Sequence, residues 1–459
     1  MHRWQLAAQR RFNRVMTKLS TTRIIAVTFA AIILLGTLLL MTPAASRSSV
    51  GCAFRPALFT ATSATCVTGL VMFDTWTQWS GFGQTVILCL IEIGGLGFMS
   101  AASVFVFLFR KKIGMKQRLV MAQAMSVEDM SGVVKLQRIV LTGSLGIQAA
   151  GAIILTLRFW GEVGAKKAVQ WGIFHAVSAF CNAGFDIMGY FDPGTSVMRY
   201  NSDPVVCLTL MSLVVLGGLG FFVWEEVARV RSWKKFSVYT RLVLLITLAL
   251  LLLGTAAIAV VEWDNPGTLG TMSWQDKLLN AAFQSVTVRT AGFVSVDQAA
   301  LTDAGKAISI ALMLIGGSSG STAGGMKTVT ILVMILFIWN RARGRDTVTV
   351  FKRTIPNSQV LDAMTIVSIM MVLAVFGGVY ISVTSGFSFV DALYESASAI
   401  ATVGLSAAGS ANLSVSAQYL MILYMYFGRV GVLTISLGFL AGNRATERFR
   451  YAETRLMIG

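Results

Sequence analysis

Four short stretches of this sequence have the makings of an ion-coordinating backbone. They read Ser63-Ala64-Thr65-Cys66-Val67-Thr68-Gly69-Leu70, Ser178-Ala179-Phe180-Cys181-Asn182-Ala183-Gly184-Phe185, Val286-Thr287-Val288-Arg289-Thr290-Ala291-Gly292-Phe293 and Ser398-Ala399-Ile400-Ala401-Thr402-Val403-Gly404-Leu405. Their glycines fall 115, 108 and 112 residues apart. A dehydrated monovalent cation needs several oxygens around it. Backbone carbonyls supply them without fixed charge, so the ion binds and can leave. Glycine reaches the dihedrals that aim such carbonyls at an axis. Val67-Thr68-Gly69, Asn182-Ala183-Gly184, Thr290-Ala291-Gly292 and Thr402-Val403-Gly404 are therefore the candidate coordinating segments. A period this long in an apolar chain indicates one folding unit used four times around a pore.

Such segments need elements that hold them at depth in a membrane. Of the 459 residues, 55% are apolar and 13% charged, against about 25% charged in soluble proteins. Ile24–Thr42, Ile139–Leu157, Leu242–Val261 and Ala363–Thr384 precede the motifs and are long enough to cross a bilayer. Four further spans come after them, near 84–109, 204–224, 308–339 and 417–441. The expected fold is an all-α membrane protein of eight transmembrane helices in four pseudo-symmetric helix–re-entrant loop–helix repeats around a central pore. The apolar stretch before each glycine, such as Pro56–Thr65 or Trp171–Phe180, is too short to span and fits a half-helix. Irregular backbone at that depth must line an aqueous path or be buried in protein. The plainer alternative is four extracellular turns packed on a bundle.

The expected organisation is a basic arm 1–23, repeats at 24–109, 139–230, 238–340 and 361–442, and a tail 443–459. With the N-terminus inside, cytoplasmic segments carry 27 of the 38 Lys and Arg, outer segments nine, and the spans Lys327 and Arg429. That asymmetry predicts cytoplasmic termini and motifs on the outer half. It also accounts for the net charge of +17 without nucleic-acid binding. The first apolar run is longer than a signal-peptide core, so a retained helix is expected. Five cysteines without Cys-x-x-Cys spacing and two histidines, His2 and His175, suggest no disulfide framework, zinc site or enzyme.

A second pattern accompanies the first. Gly94-Gly95, Gly217-Gly218, Gly316-Gly317 and Gly428-Arg429 begin 25, 33, 24 and 24 residues after the motif glycines. In the first two copies the expected role is close helix packing. In the third, Gly316-Gly317-Ser318-Ser319-Gly320-Ser321-Thr322-Ala323-Gly324-Gly325-Met326-Lys327 has five glycines in twelve residues, each costing a helix about 0.8–1 kcal/mol against alanine. An intramembrane gating loop over 316–328 is expected, with a kinked packing helix as the alternative. In the fourth, Arg429 replaces a glycine. A guanidinium at that depth either forms a positive barrier beneath the coordinating segments or pairs with an intramembrane acid such as Glu92. Lys327 acts likewise or snorkels inward, and Arg289 is expected to brace its loop through carbonyls.

These motifs, above all Asn182-Ala183-Gly184-Phe185, Arg289-Thr290-Ala291-Gly292-Phe293, the loop 316–328 and Arg429, resemble the Trk/Ktr/HKT superfamily of potassium transport proteins over nearly the whole chain. Eight spans and the apolar end Leu456-Met457-Ile458-Gly459 are similar to a Ktr-type membrane subunit. The resemblance implies a multi-pass protein of the bacterial plasma membrane and a homodimer with one pore per protomer. It also implies a cytoplasmic, KtrA-like ring of nucleotide-binding regulatory subunits. Potassium is the implied ion, often with sodium dependence, and no other cofactor is implied. Gly69, where sodium-transporting plant relatives carry serine, fits potassium. Glu92 departs from the neutral residue, such as glutamine, expected there. The alternative function is an ion-coupled cation symporter, which would need titratable groups along the path.

Overall fold

The computed structural model describes residues 21–97 and 133–431. In the first stretch α1 (Thr21–Leu40) leads through α2 (Phe54–Thr65) to α3 (Gly81–Leu96). The second holds α4 (Val133–Val163), α5 (Ala165–Phe180), α6 (Pro204–Leu219) and α7 (Phe221–Val230). The third holds α8 (Val238–Glu262), α9 (Trp274–Thr287), α10 (Asp303–Leu314) and α11 (Thr328–Ala342). A short antiparallel hairpin, β1 (Val348–Val350) with β2 (Arg353–Ile355), joins it to α12 (Asn357–Ser385), α13 (Phe389–Ile400) and α14 (Val415–Val430). In each stretch a long helix precedes a shorter one that ends at a glycine motif, and a further helix comes after it.

The long helices α1, α4, α8 and α12 are apolar and long enough to cross a membrane. They correspond to the four spans expected before the motifs. Large apolar side chains on their outer faces lie open, including Leu38, Leu157, Val260 and Val383. Lipid rather than water is the fitting solvent for such a surface.

The helices after the motifs differ from the expected plain crossings. The α6–α7 pair is bent by 93° at Gly220 and has the length of a span only if counted as one. Helices α3, α6 and α14 stop at Gly97, Gly220 and Gly431, with φ of 84°, 95° and 94°. A helix cannot continue through those dihedrals. A helix stop at a left-handed or otherwise positive-φ glycine is therefore shared by these stretches. Hydropathy did not reveal it, because apolar residues continue past each glycine. Residues 98–132 and 432–459 lie outside the described residues, and with them most of the link 110–138 and the tail 443–459. The same holds for 1–20 of the basic arm.

Local chemistry sets the other boundaries. Ser80, Ser237, Thr302, Ser388 and Ser414 accept backbone N–H bonds at the starts of α3, α8, α10, α13 and α14, and Asp203 does so at α6 with Pro204 as first helical residue. Fully buried Glu262 closes the C-terminal end of α8 by accepting from Asn265 Nδ2, Thr268 Oγ1, and Thr302 N and Oγ1. Two large apolar clusters fill the interior. One joins the first two stretches with Phe283, Val286, Ala291 and Phe293 of the third, and the other joins the last two with residues of the first such as Phe59, Cys66 and Leu70.

Candidate functional site: four glycine loops and the segment beneath them

Each short helix ends shortly before a residue in the left-handed region. These are Val67, Asn182, Thr290 and Thr402, with φ of 56°, 58°, 67° and 53°. Two residues later come Gly69, Gly184, Gly292 and Gly404, at φ of 97°, 68°, 81° and 99°. Positive φ is strained for β-branched residues such as Val67, Thr290 and Thr402, at about 1–3 kcal/mol each. Backbone bonds hold it in place. Thr68 N donates to Ser63 O at 2.8 Å, Ala183 N to Ser178 O at 2.8 Å, Ala291 N to Thr287 O at 2.9 Å and Val403 N to Ser398 O at 2.8 Å. Side chains add to this: Ser63 Oγ and Ser398 Oγ accept from Gly69 N and Gly404 N, while Ser178 and Thr287 hydroxyls donate to Phe185 O and Phe293 O.

The N–H groups of the loops are thus turned back into their own helices. Among the described residues, nothing donates to the carbonyls of Val67, Thr68, Asn182, Ala183, Thr290, Ala291, Thr402 or Val403. Buried carbonyls left without donors are uncommon, and here they come as a set.

The four loops touch in cyclic order. A Cβ on Gly69 would lie 2.5 Å from Ala183 O, one on Gly184 2.7 Å from Ala291 O, and one on Gly292 2.6 Å from Val403 O. One on Gly404 would collide with Thr68 O, which closes the cycle. Each glycine is required twice over, by its own dihedral and by its neighbour's carbonyl. On the side of the residues that follow them, the four glycines line a cavity of about 290 Å³, with Asp74, Asp186, Asp297, Ser406 and Ser410 also in its wall.

Residues 315–327 lie on the opposite side of the loops. Ile315 and Met326 bridge the ends of α10 and α11, and the segment between them is not helical. It is fastened to the second stretch and packs against the fourth. Ser318 N donates to Gly218 O at 3.0 Å, Thr322 N to Gly217 O at 3.2 Å, and Phe221 N to Gly320 O at 2.8 Å. Thr322 Oγ1 donates to Phe180 O at 3.1 Å and lies 3.3 Å from Asn182 Oδ1. Gly324 abuts the Thr402 side chain so closely that a Cβ there would collide with its hydroxyl. The segment therefore sits directly against glycine-loop residues of the second and fourth stretches.

Arg429 lies half-buried beside it. Its Nη1 donates to Thr322 O and its Nη2 to Gly94 O at 2.5 Å and Gly95 O at 3.0 Å. It thus ties the segment to the broken end of α3. The Glu92 ion pair weighed from the sequence does not form. Glu92 instead accepts from Gln148 Nε2 at 3.0 Å and the Cys181 thiol at 3.3 Å. Lys327 Nζ bonds Ala323 O at 2.8 Å and Gly324 O at 3.4 Å within its own segment. Arg289 does brace, but onto Gly316 O, 3.5 Å away at the base of the segment, rather than onto its own loop. The first glycines of the pairs serve close approach: a Cβ on Gly94, Gly217 or Gly428 would strike the carbonyl of Thr65, Phe180 or Ile400 at a short-helix end.

Comparison with known proteins gives this geometry a lineage. The TrkH family model, described as a cation transport protein, matches residues 3–443. The potassium/sodium uptake protein NtpJ of Enterococcus hirae is 38% identical over 454 residues, covering 97% of this chain and 99% of its own. The Ktr system potassium uptake protein B of Bacillus subtilis is 36% identical over 428 residues, covering 93% and 94%. The chain belongs to the TrkH family of cation transport proteins. Among solved structures, the potassium transporter TrkH of Vibrio parahaemolyticus aligns over 91% of this chain and 84% of its own. Its TM-score is 0.68 at 19% identity, a likeness of fold. As a TrkH-family protein the chain is a transmembrane transporter rather than an enzyme.

Proposed function

We infer that this chain is the pore-forming subunit of a potassium uptake system. Its eight transmembrane segments form four pseudo-symmetric repeats, at 24–109, 139–230, 238–340 and 361–442, around one conduit. The observation that carries the reading is the cyclic closure of the four loops. A ring of carbonyls free of donors, with no fixed charge at the ring, is suited to replacing the hydration shell of a monovalent cation. The C-terminal ends of α2, α5, α9 and α13 bring partial negative charge to the same place. Potassium is the ion named for the relatives, and sodium accompanies it in one of them.

The segment 316–327, with Lys327 and Arg429, is the gate in this reading. It lies under the ring, is rich in glycine and serine, and is held by bonds that a small displacement would break. The Arg429 guanidinium gives the closed conduit a positive charge that a cation must pass. Cytoplasmic termini are the orientation that the distribution of Lys and Arg favours. A homodimer controlled by a cytoplasmic ring of nucleotide-binding subunits fits relatives named as parts of a Ktr system. Reconstitution of the full chain in liposomes, with potassium and sodium varied on each side, is the test. Flux that tracks the potassium gradient and is little competed by sodium supports a potassium pore. A reversal potential that tracks pH would replace it with proton-coupled symport.

A further inference from the structure

The four loops are alike at the ring but unlike behind it. Nine residues before the second and fourth motif glycines stand His175 and Glu395, both fully buried. Each reaches out to the limb beyond its glycine. His175 Nδ1 lies 2.8 Å from Trp171 O, so it carries the proton. Nε2 then accepts from Ile187 N at 3.3 Å. In the third stretch an amide pair does the same work. Gln284 and Gln298 exchange bonds of 2.8 and 3.1 Å, and Tyr394 of α13 donates to Gln298 Oε1 at 2.6 Å.

In the fourth stretch the clamp is a carboxyl group. Glu395 Oε1 accepts from Ser406 Oγ at 2.5 Å and from Ala408 N at 2.9 Å. Oε2 is buried with no partner. Both of these limb bonds therefore fall on one oxygen. Ser406 lies two residues beyond Gly404 and lines the outer cavity. Freed of Glu395, the limb could turn, and Gly404 with it. Gly404 also packs against Thr68 O, so a shift there changes the ring across the boundary between the fourth and first stretches.

We propose that Glu395 is a positioning residue that sets the ion preference of the ring by holding the limb after Gly404 from behind. The proposal rests on the reading of the four loops as the ion-selecting ring. It acts through the accepted bonds and not through a second oxygen, since Oε2 makes none. The glutamine variant, which keeps an acceptor at Oε1, should therefore hold the limb where alanine cannot.

The test is potassium-over-sodium preference in liposomes for Glu395→Ala, Glu395→Gln and Ser406→Ala, beside Gly404→Ser. The alanine variant at 395 should lose about tenfold in preference, the size expected when a half-buried limb loses both bonds to one acceptor. Glutamine should restore most of it, and Ser406→Ala should give a smaller loss. Ser406→Ala removes only one donor, so it carries the test should Glu395→Ala not fold. Wild-type preference in both Glu395→Ala and Ser406→Ala, or a glutamine variant as impaired as alanine, overturns the positioning role. If Gly404→Ser shifts the preference while those two do not, only this proposal fails. If Gly404→Ser is also without effect, the ring itself is misassigned and the proposal falls with it.

Discussion

Under the proposed function, the ring of loops and the segment beneath it solve opposite problems in one conduit. The ring repeats one device four times: a left-handed residue, a free carbonyl, a glycine against the next loop. The segment 315–327 occurs once, and its bonds run to the second stretch, to the fourth and, through Arg429, to the first. Ion selection needs equal distances from several sides and so favours repetition. Opening needs one part to move while the rest stays, which a single unlike element does best. In that reading the chain has both because one repeat of four diverges.

The sharpest way to break that contrast is to spoil the repetition. Gly69→Ser puts a side chain against Ala183 O at a backbone angle that disfavours it. Potassium-over-sodium preference in competition flux should fall by roughly tenfold to a hundredfold, with a hydroxyl and displaced carbonyls in a ring that had neither. A variant that folds and selects like the wild type would show that the ring is not the filter.

Removing the unlike element should change rate rather than preference. Deletion of Ser318–Ala323 takes away the contacts to Gly217, Gly218 and Phe180. Flux should rise about tenfold and lose its dependence on a regulatory partner, while ion preference stays within about twofold. A deletion that keeps normal regulation would return the segment to a packing role.

Arg429 ties the segment to the end of α3. Arg429→Gln keeps a donor for one or two of its three carbonyls but removes the positive charge, so basal flux should rise severalfold, less than in the deletion. Because Glu92 bonds Gln148 and Cys181 instead, a further Glu92→Gln change should not reverse the effect. Reversal in the double variant, read by the same liposome assay, would restore the ion pair.

The two regions also differ in how far the sequence disclosed them. The motif glycines were visible because both the dihedral and the close approach demand glycine. The left-handed turns at Val67, Thr290 and Thr402 were not, because β-branched residues rarely take them and only surrounding bonds make them tolerable. The non-helical stretch at 316–327 was plain from five glycines in twelve residues. The stops at Gly97, Gly220 and Gly431 were hidden inside apolar runs, where a single glycine usually means packing. The partners of Arg429, Arg289 and Glu92 depend on distances across stretches that no local pattern encodes. His175 stood out only as one of two histidines. Its place behind the second loop needed the fold.

The smallest expected effect concerns the mouth of the ring. Asp186 lies two residues beyond Gly184, outside the spans, in the wall of the outer cavity. Burial pushes its carboxyl up to about 6, with neighbouring Asp74 adding to the rise and bonds from Ser196 and Met188 N opposing it. Above that value Asp186 is charged and draws cations to the cavity. As external pH falls through about 6 it takes a proton and the attraction weakens. Half-saturating potassium should rise by about two- to threefold between roughly pH 7.5 and 5.5, a modest change because one charge at an open mouth is screened by water and salt. Asp186→Asn should show the weaker affinity at both pH values and remove that part of the pH dependence. An unchanged pH profile in the asparagine variant would assign the dependence to another group. The ring's own contribution, made of uncharged carbonyls, should then be the same at both pH values.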